Sequence, residues 1–167
     1  MKTTMTIDGR WNGARLGSGF NDQASALYDS TTRDYCCLGI CAIDTGVVSG
    51  PGLLVRLFNL SEAYDKVQTP IRPAWITKSR PLSEYLEVLD EVNVKLCGYY
   101  YRPREDIQFE QLLVHINDHS KMDMLDKARA IQALFHAFTP VEVELDIPSI
   151  QEARKKWLNG NKLGVGQ

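Results

Sequence analysis

The segment that most constrains this chain runs from Tyr35 to Ile43 and contains no charged residue. It reads Tyr-Cys-Cys-Leu-Gly-Ile-Cys-Ala-Ile, and most of these residue types are commonly buried in folded proteins. Periodicity alone cannot separate a buried helix from a buried strand over so short a run. We favour a helix, because the small residues Gly39 and Ala42 would let a neighbouring segment pack closely against it. The segment therefore predicts a buried helix in the core.

The cysteines of this segment, Cys36, Cys37 and Cys41, are better explained by packing than by disulfides or metal binding. Two of them are adjacent, and the N-terminal residues lack the apolar stretch of a secretion signal, so we expect reduced thiols in a cytosol. A zinc site usually combines two pairs of ligands, and the second pair is missing here. The spacing of Cys97 and the histidines does not require that they complete such a site. We therefore predict no metal site.

A nucleophilic cysteine is an alternative that the residue order leaves open. Cys36 follows Arg33-Asp34-Tyr35, so a helix starting near Asp34 would place its thiol in the first turn. A helix N-terminus or a nearby cation lowers a thiol pKa, which a catalytic cysteine requires. The apolar surroundings predict a buried, unreactive thiol instead. We therefore assign no catalytic residue.

The length and charge of the chain favour one globular domain. Its 167 residues fit a single domain, and the apolar and charged fractions, 44% and 24%, are close to globular averages. The net charge of −2 gives no overall attraction to nucleic acid or to an anionic membrane. No stretch approaches the roughly 20 apolar residues of a membrane span. We predict a globular domain over residues 1–160 and a flexible tail over residues 161–167.

The remaining pattern predicts a helix-dominated α+β domain with a small sheet. The strongest signals are two amphipathic helices, one capped by Asp106 and ended by Asn117-Asp118, the other ended by Pro140. Strict alternation over residues 141–147 predicts a half-buried strand. The other predicted elements are a helical turn at 11–16 closed by glycines 17 and 19, a strand at 53–58, a brief helix capped by Ser61, a helix from Ser83 to Leu89, a strand at 93–101 and a last helix at 148–158 ended by residues 159–160.

A set of residues in the first block and in one later segment forms a recognisable pattern. It resembles a family of small bacteriophage and prophage proteins marked by a tryptophan, a Ser-Gly turn, a glutamine and a Cys-Cys-Leu-Gly element. This chain departs from the pattern in a longer turn, and the region from Val47 to Tyr101 has no counterpart. The resemblance implies a phage accessory protein and carries over no catalytic residue. The matching residues are Trp11, Ala14, Ser18-Gly19, Phe20, Gln23, Leu27, the segment 35–40 and the segment 112–118, which a second amphipathic helix at 122–138 follows.

A cluster of tyrosines and arginines supplies the candidate binding residues. In the predicted strand, Tyr99 and Tyr101 share one face, where they would stack on a base while Arg102 and Arg104 meet a phosphate. The alternative is a strand whose tyrosines face the core and whose arginines face solvent. Trp75, in a proline-rich loop, is a further candidate that would otherwise anchor the loop to the core.

These observations predict a non-enzymatic accessory protein that binds a host or phage macromolecule in the host bacterial cytoplasm. A protein partner is the first expectation, in host takeover or in counter-defence. A nucleotide or nucleic-acid binder that uses Tyr99, Tyr101, Arg102 and Arg104 is the alternative, and a cysteine-dependent enzyme is a weaker one. We predict no cofactor and no membrane association.

Overall fold

A computed structural model describes residues 3–17, 25–67, 71–96, 104–119 and 121–162. In it the uncharged segment forms a buried helix from Cys37 onward, while Tyr35 belongs to a strand. Helices dominate and the sheets are pairs of strands, so the prediction of a helix-dominated α+β domain is confirmed. The helices are α1 (Asn12–Leu16), α2 (Cys37–Asp44), α3 (Leu60–Val67), α4 (Leu82–Glu91), α5 (Phe109–Val114), α6 (Met124–Phe138) and α7 (Ile147–Lys162). The strands are β1 (Thr4–Ile7), β2 (Tyr28–Asp29), β3 (Asp34–Tyr35), β4 (Ser79–Pro81), β5 (Asp106–Gln108) and β6 (Glu142–Leu145).

Helix α2 lies at the centre of the hydrophobic core, as its sequence predicts. Its residues from Cys37 to Ala42 are buried. A Cβ atom on Gly39 would overlap the carbonyl oxygen of Leu27, so the backbone of the segment before β2 lies directly against the backbone of this helix. The same carbonyl accepts a hydrogen bond from the Cys36 backbone N–H at 3.3 Å. Only glycine allows this approach.

Strands β1 and β6 join the two ends of the chain in a parallel pair, with Thr4 opposite Glu142 and Ile7 opposite Leu145. The carboxylate of Asp44, at the end of α2, accepts a hydrogen bond from the Thr6 N–H at 2.9 Å. It also holds the Arg10 guanidinium through two hydrogen bonds of 3.0 Å. The end of α2 is thereby fixed to β1 and to the turn that follows it.

The two amphipathic helices bury the predicted apolar stripes, including Phe109 and Ile116, but the boundaries of the first one differ. Helix α5 begins at Phe109 rather than at Asp106, because residues 106–108 pair with β4 as β5. Asn117-Asp118 does not end the helical path, which continues as a π-helical turn over His115–His119. Both residues are buried and hydrogen-bonded, so they do not act as an exposed cap.

The strand predicted at 53–58 is wrong. Pro51–Leu54 forms a 3₁₀ turn, and Leu57 N–H then donates to the Leu54 carbonyl at 3.2 Å to close a reverse turn. The strand predicted at 93–101 is also wrong over its described residues. Asn93 has a positive φ of 56° and Val94 N–H caps α4 by donating to Leu89, while the rest of that strand lies outside the described residues.

Two predicted helix ends also move. Helix α3 begins at Leu60, and the capping side chain is that of Asn59, whose Oδ1 accepts from the Glu62 N–H at 2.9 Å, rather than that of Ser61. Helix α7 continues past Asn159-Gly160 to Lys162, so the first two residues of the predicted tail are helical. Among the residues that the structure describes, none of the helices combines the length and the apolar character that crossing a membrane requires.

Candidate functional site

Asn117 occupies the centre of a buried hydrogen-bond network. Its side chain is 1% exposed, and its Oδ1 accepts from Trp11 Nε1 at 2.7 Å and from the Cys37 N–H at 3.1 Å. Its Nδ2 donates to Asn12 Oδ1 at 2.9 Å and to Asp118 Oδ1 at 2.7 Å. The amide therefore connects α1, the start of α2 and the π turn, and all four of its side-chain hydrogen-bonding positions are used.

This network, which we call the Asn117 network, brings together residues that are distant in the sequence. Asn117 lies 106 positions from Trp11 and 80 positions from Cys37 in the chain. The second carboxylate oxygen of Asp118 accepts from the Ser25 N–H at 2.8 Å, which fixes the chain just before β2. The residues of the Asn117 network thus serve the interior of the fold, where a network with every group satisfied specifies one packing.

Lys127 is a buried cation that the sequence did not reveal. It lies on α6, is 0% exposed, and is close enough to Asp118 for the two charges to interact. Burial lowers the pKa of its ammonium group, and the carboxylate of Asp118 opposes this by raising it. The only available signal was its position on the same helix face as Ile131 and Leu134. Neither of the two larger surface grooves formed by described residues is lined by Lys127.

The three described cysteines are buried, and none is in a disulfide. Burial, together with a smaller effect of the nearby Asp118 carboxylate, raises the pKa of the Cys36 thiol to about 12. Burial also raises the pKa of Cys41 to about 12. A nucleophilic cysteine needs the opposite shift and partial exposure. In the described part of the chain, no cluster of three or more histidine, cysteine, aspartate or glutamate side chains could hold a metal ion.

This burial predicts very slow alkylation. At pH 8, iodoacetamide is expected to modify Cys36 and Cys41 roughly a thousandfold more slowly than a free thiol, because a pKa near 12 leaves little thiolate. Burial also raises the pKa of Cys37, so its modification should be slow as well. Peptide mass spectrometry after timed labelling measures each rate. Ser30→Cys, in an exposed turn, is the matched control and should react at the ordinary rate. Rapid modification of Cys36 in the folded protein would refute the burial.

The predicted tyrosine–arginine site lies mostly outside the described residues. Tyr99, Tyr101 and Arg102 belong to that part, and the nucleotide-binding role predicted for them stays a prediction. Arg104 is exposed and makes no hydrogen bond or ion pair that the described structure records. Trp75 is half-buried and packs edge-on against Phe109 and Phe135, with ring centroids 5.6 and 6.0 Å apart. Its ring therefore anchors the proline-rich loop to the core, and its role in ligand binding also stays a prediction.

A surface groove of about 500 Å³ lies where the start of α3 meets β5 and α5. We call it the Phe58 groove. The buried Glu110 carboxylate holds its two sides together by accepting from Ser61 N–H at 3.0 Å and from Ser61 Oγ at 2.7 Å. Its wall combines the apolar side chains of Phe58 and Val114 with the neutral polar side chains of Asn59, Ser61, Thr77, Gln108 and Gln111. Sequence reasoning missed the groove because three separate segments form it.

The Phe58 groove has an exposed apolar side chain in its wall, that of Phe58, and a second one, Leu53, is exposed across the adjacent turn. Phe58 and Leu53 are each 45% exposed, on either side of the reverse turn at 54–57. Large apolar side chains exposed beside a groove are typical of binding surfaces. The strand predicted for this segment gave no indication that Leu53 and Phe58 lie on either side of a turn.

A second groove, of about 410 Å³, lies between α6 and β6, but its charged groups already bind one another. Arg129 donates to the Val92 carbonyl at 2.5 Å and pairs with Asp126. His136 Nδ1 lies 3.3 Å from Glu142 Oε2. These internal contacts leave this groove fewer free charged groups for a ligand.

The function of this chain has to be inferred from its own contacts. Comparison with protein-family models, with curated proteins and with solved structures gives no match. The Phe58 groove is therefore the candidate site on geometric grounds, and the Asn117 network is the interior that supports the fold around it.

Proposed function

We propose that this chain is a non-enzymatic accessory protein that binds a host or phage protein through the Phe58 groove. The exposure of Phe58 in the wall of a polar-lined groove is the observation that carries the proposal. The bacteriophage setting, the cytoplasmic location and a role in host takeover or counter-defence come from the resemblance alone. They form part of the same proposal.

The lining of the groove suits a polypeptide. The side-chain amides of Gln108 and Gln111 each present donors and an acceptor, which match the alternating N–H and C=O groups of a peptide backbone. Asn59 adds its Nδ2 donors, because its Oδ1 already caps α3. Phe58 supplies an aromatic anchor, and exposed aromatic residues are enriched among the side chains that contribute most to protein interfaces. The carboxylate of Glu110 is already bound to Ser61, so it does not leave an unsatisfied charge in the groove.

Phe58→Ser tests the proposal directly. In affinity purification from infected cells, the unchanged chain is expected to retain one dominant protein partner, and Phe58→Ser is expected to reduce that partner at least ~10-fold. The reason is that the substitution removes the exposed ring without touching the buried core. Quantitative mass spectrometry of the retained proteins measures the ratio.

Ile71→Ser is the matched control, because Ile71 is 88% exposed and does not line the groove. Its partner recovery should equal that of the unchanged chain. Equal recovery with Phe58→Ser would show that the groove is not the binding surface. An equal loss with Ile71→Ser would show that the capture reflects general hydrophobic adhesion.

A further inference from the structure

We infer that the segment bound in the Phe58 groove carries a carboxylate beside its apolar side chains, and that Arg56 binds this carboxylate. The inference rests on the proposed function and specifies the chemistry of the partner. Three observations support it: Arg56 lies at the tip of a reverse turn, its guanidinium has no partner within the described residues, and the groove that begins at Phe58 has a neutral polar and apolar lining.

Arg56 lies at the tip of a type II reverse turn. Val55 has φ −62° and ψ 130°, Arg56 has φ 70°, and the Leu57 N–H donates to the Leu54 carbonyl at 3.2 Å. The third position of such a turn requires a positive φ, and glycine or asparagine is favoured there. An arginine in this conformation bears a strain that glycine would relieve, and strained backbone residues cluster at functional sites.

The guanidinium of Arg56 is available to a partner. The side chain is exposed, and within the described residues it makes no hydrogen bond, ion pair or ring contact. Most of the other described arginines are engaged by carboxylates, as Arg10 is by Asp44 and Arg15 is by Asp34 at 2.6 Å. A free guanidinium binds a carboxylate through two parallel hydrogen bonds, which makes it a specific receptor for an acidic side chain.

The position of Arg56 links it to the groove. Leu53 and Phe58 directly precede and follow the turn at 54–57, and both are 45% exposed, so Arg56 lies two positions from an exposed aromatic side chain. Phe58 is itself part of the groove wall. If an apolar side chain of a bound segment contacts Phe58, a neighbouring acidic residue of that segment would lie near Arg56.

The composition of the site favours a polypeptide over a nucleic acid. Each nucleotide brings a phosphate, whereas the groove wall includes the carboxylate of Glu110 and the chain has a net charge of −2. A peptide that carries one or two carboxylates would have its negative charge only at the turn that contains Arg56, and not along the groove. Its backbone amides then meet the neutral polar wall.

Paired synthetic peptides test the inference with the full chain. One panel has an apolar core of leucine and phenylalanine flanked by aspartate and glutamate, and its twin has asparagine and glutamine at those positions. Fluorescence anisotropy is expected to give the acidic panel about 10-fold tighter binding than its amide twin. Arg56→Gly is expected to reduce acidic binding to the amide level while the Tm does not fall, since glycine suits the turn.

Arg33→Gly is the matched control. Arg33 also has a positive φ, of 61°, closes the turn between β2 and β3, and does not line the groove. It relieves the same kind of strain and removes the same charge, so the net charge of the two variants is identical. Its affinity for the acidic panel should match that of the unchanged chain.

The remaining outcomes separate the inference from the proposed function. Peptide binding that Phe58→Ser abolishes, but that shows no acidic preference, overturns the inference and leaves the proposed function standing. An acidic preference that survives in Arg56→Gly also overturns the inference. Absence of binding to either panel overturns both. Tighter binding of a single-stranded oligonucleotide, lost in Arg56→Gly, would replace the peptide with a nucleic acid.

Discussion

Replacing Gly39 with alanine is expected to lower the free energy of unfolding by at least about 3 kcal/mol, or to prevent stable folding. The added Cβ would overlap the Leu27 carbonyl oxygen and lie 2.8 Å from the carbonyl carbon. Both atoms are backbone, so no side-chain rotation relieves the overlap. The segment before β2 would have to move away from α2 and lose the hydrogen bond from the Cys36 N–H. Urea denaturation followed by far-ultraviolet circular dichroism measures the loss.

Gly52→Ala is the matched control for this substitution. Gly52 is exposed, and a Cβ added there would meet no atom within 4 Å. Its effect on the free energy of unfolding should stay within about 0.5 kcal/mol. If Gly39→Ala cost no more than Gly52→Ala, the close crossing of α2 by the Leu27 segment would be refuted.

The parts of this fold that the sequence predicted correctly depend on local patterns. An uncharged run with glycine and alanine at 39 and 42 predicted α2, and the spacing of apolar residues predicted the buried faces of α5 and α6. Each of these signals lies within a single helix, because the apolar residues of a buried helix face recur every three or four positions.

The parts that the sequence did not predict depend on pairing between distant segments. Asp106 looked like a helix cap, but pairing with β4 makes it the first residue of a strand. Asn117 looked like a helix end, yet it is buried against Trp11, 106 positions away in the chain. The Phe58 groove is formed by three separate segments. The adjacent turn at 54–57 has an arginine at its positive-φ position, where a glycine would have made the turn recognisable in the sequence. The candidate site was therefore not predictable from local patterns.

Asn117→Ala is expected to lower the free energy of unfolding by about 3–5 kcal/mol, the other large effect in this fold. The substitution leaves Trp11 Nε1 and the Cys37 N–H without their shared acceptor, and both are buried. It also leaves Asn12 Oδ1 and Asp118 Oδ1 without a donor that each now uses. A buried polar atom without a partner costs about 1–3 kcal/mol, and the small cavity adds to this. Urea denaturation measures the total.

Asn117→Asp separates the hydrogen bonds of this network from its packing. Aspartate keeps the shape and the acceptor oxygen for Trp11, but it puts a second carboxylate beside Asp118 where the amide donated at 2.7 Å. Two adjacent buried carboxylates raise the pKa of one another, so the folded state takes up a proton more readily than the unfolded state. The variant should therefore regain stability, relative to the unchanged chain, as the pH falls from 7 toward 5, whereas Asn117→Ala should not. Asn59→Ala removes the acceptor that caps α3 without disturbing the buried network, and it should cost about 1 kcal/mol at either pH. A loss in Asn117→Ala no larger than that would contradict the central role of the Asn117 network.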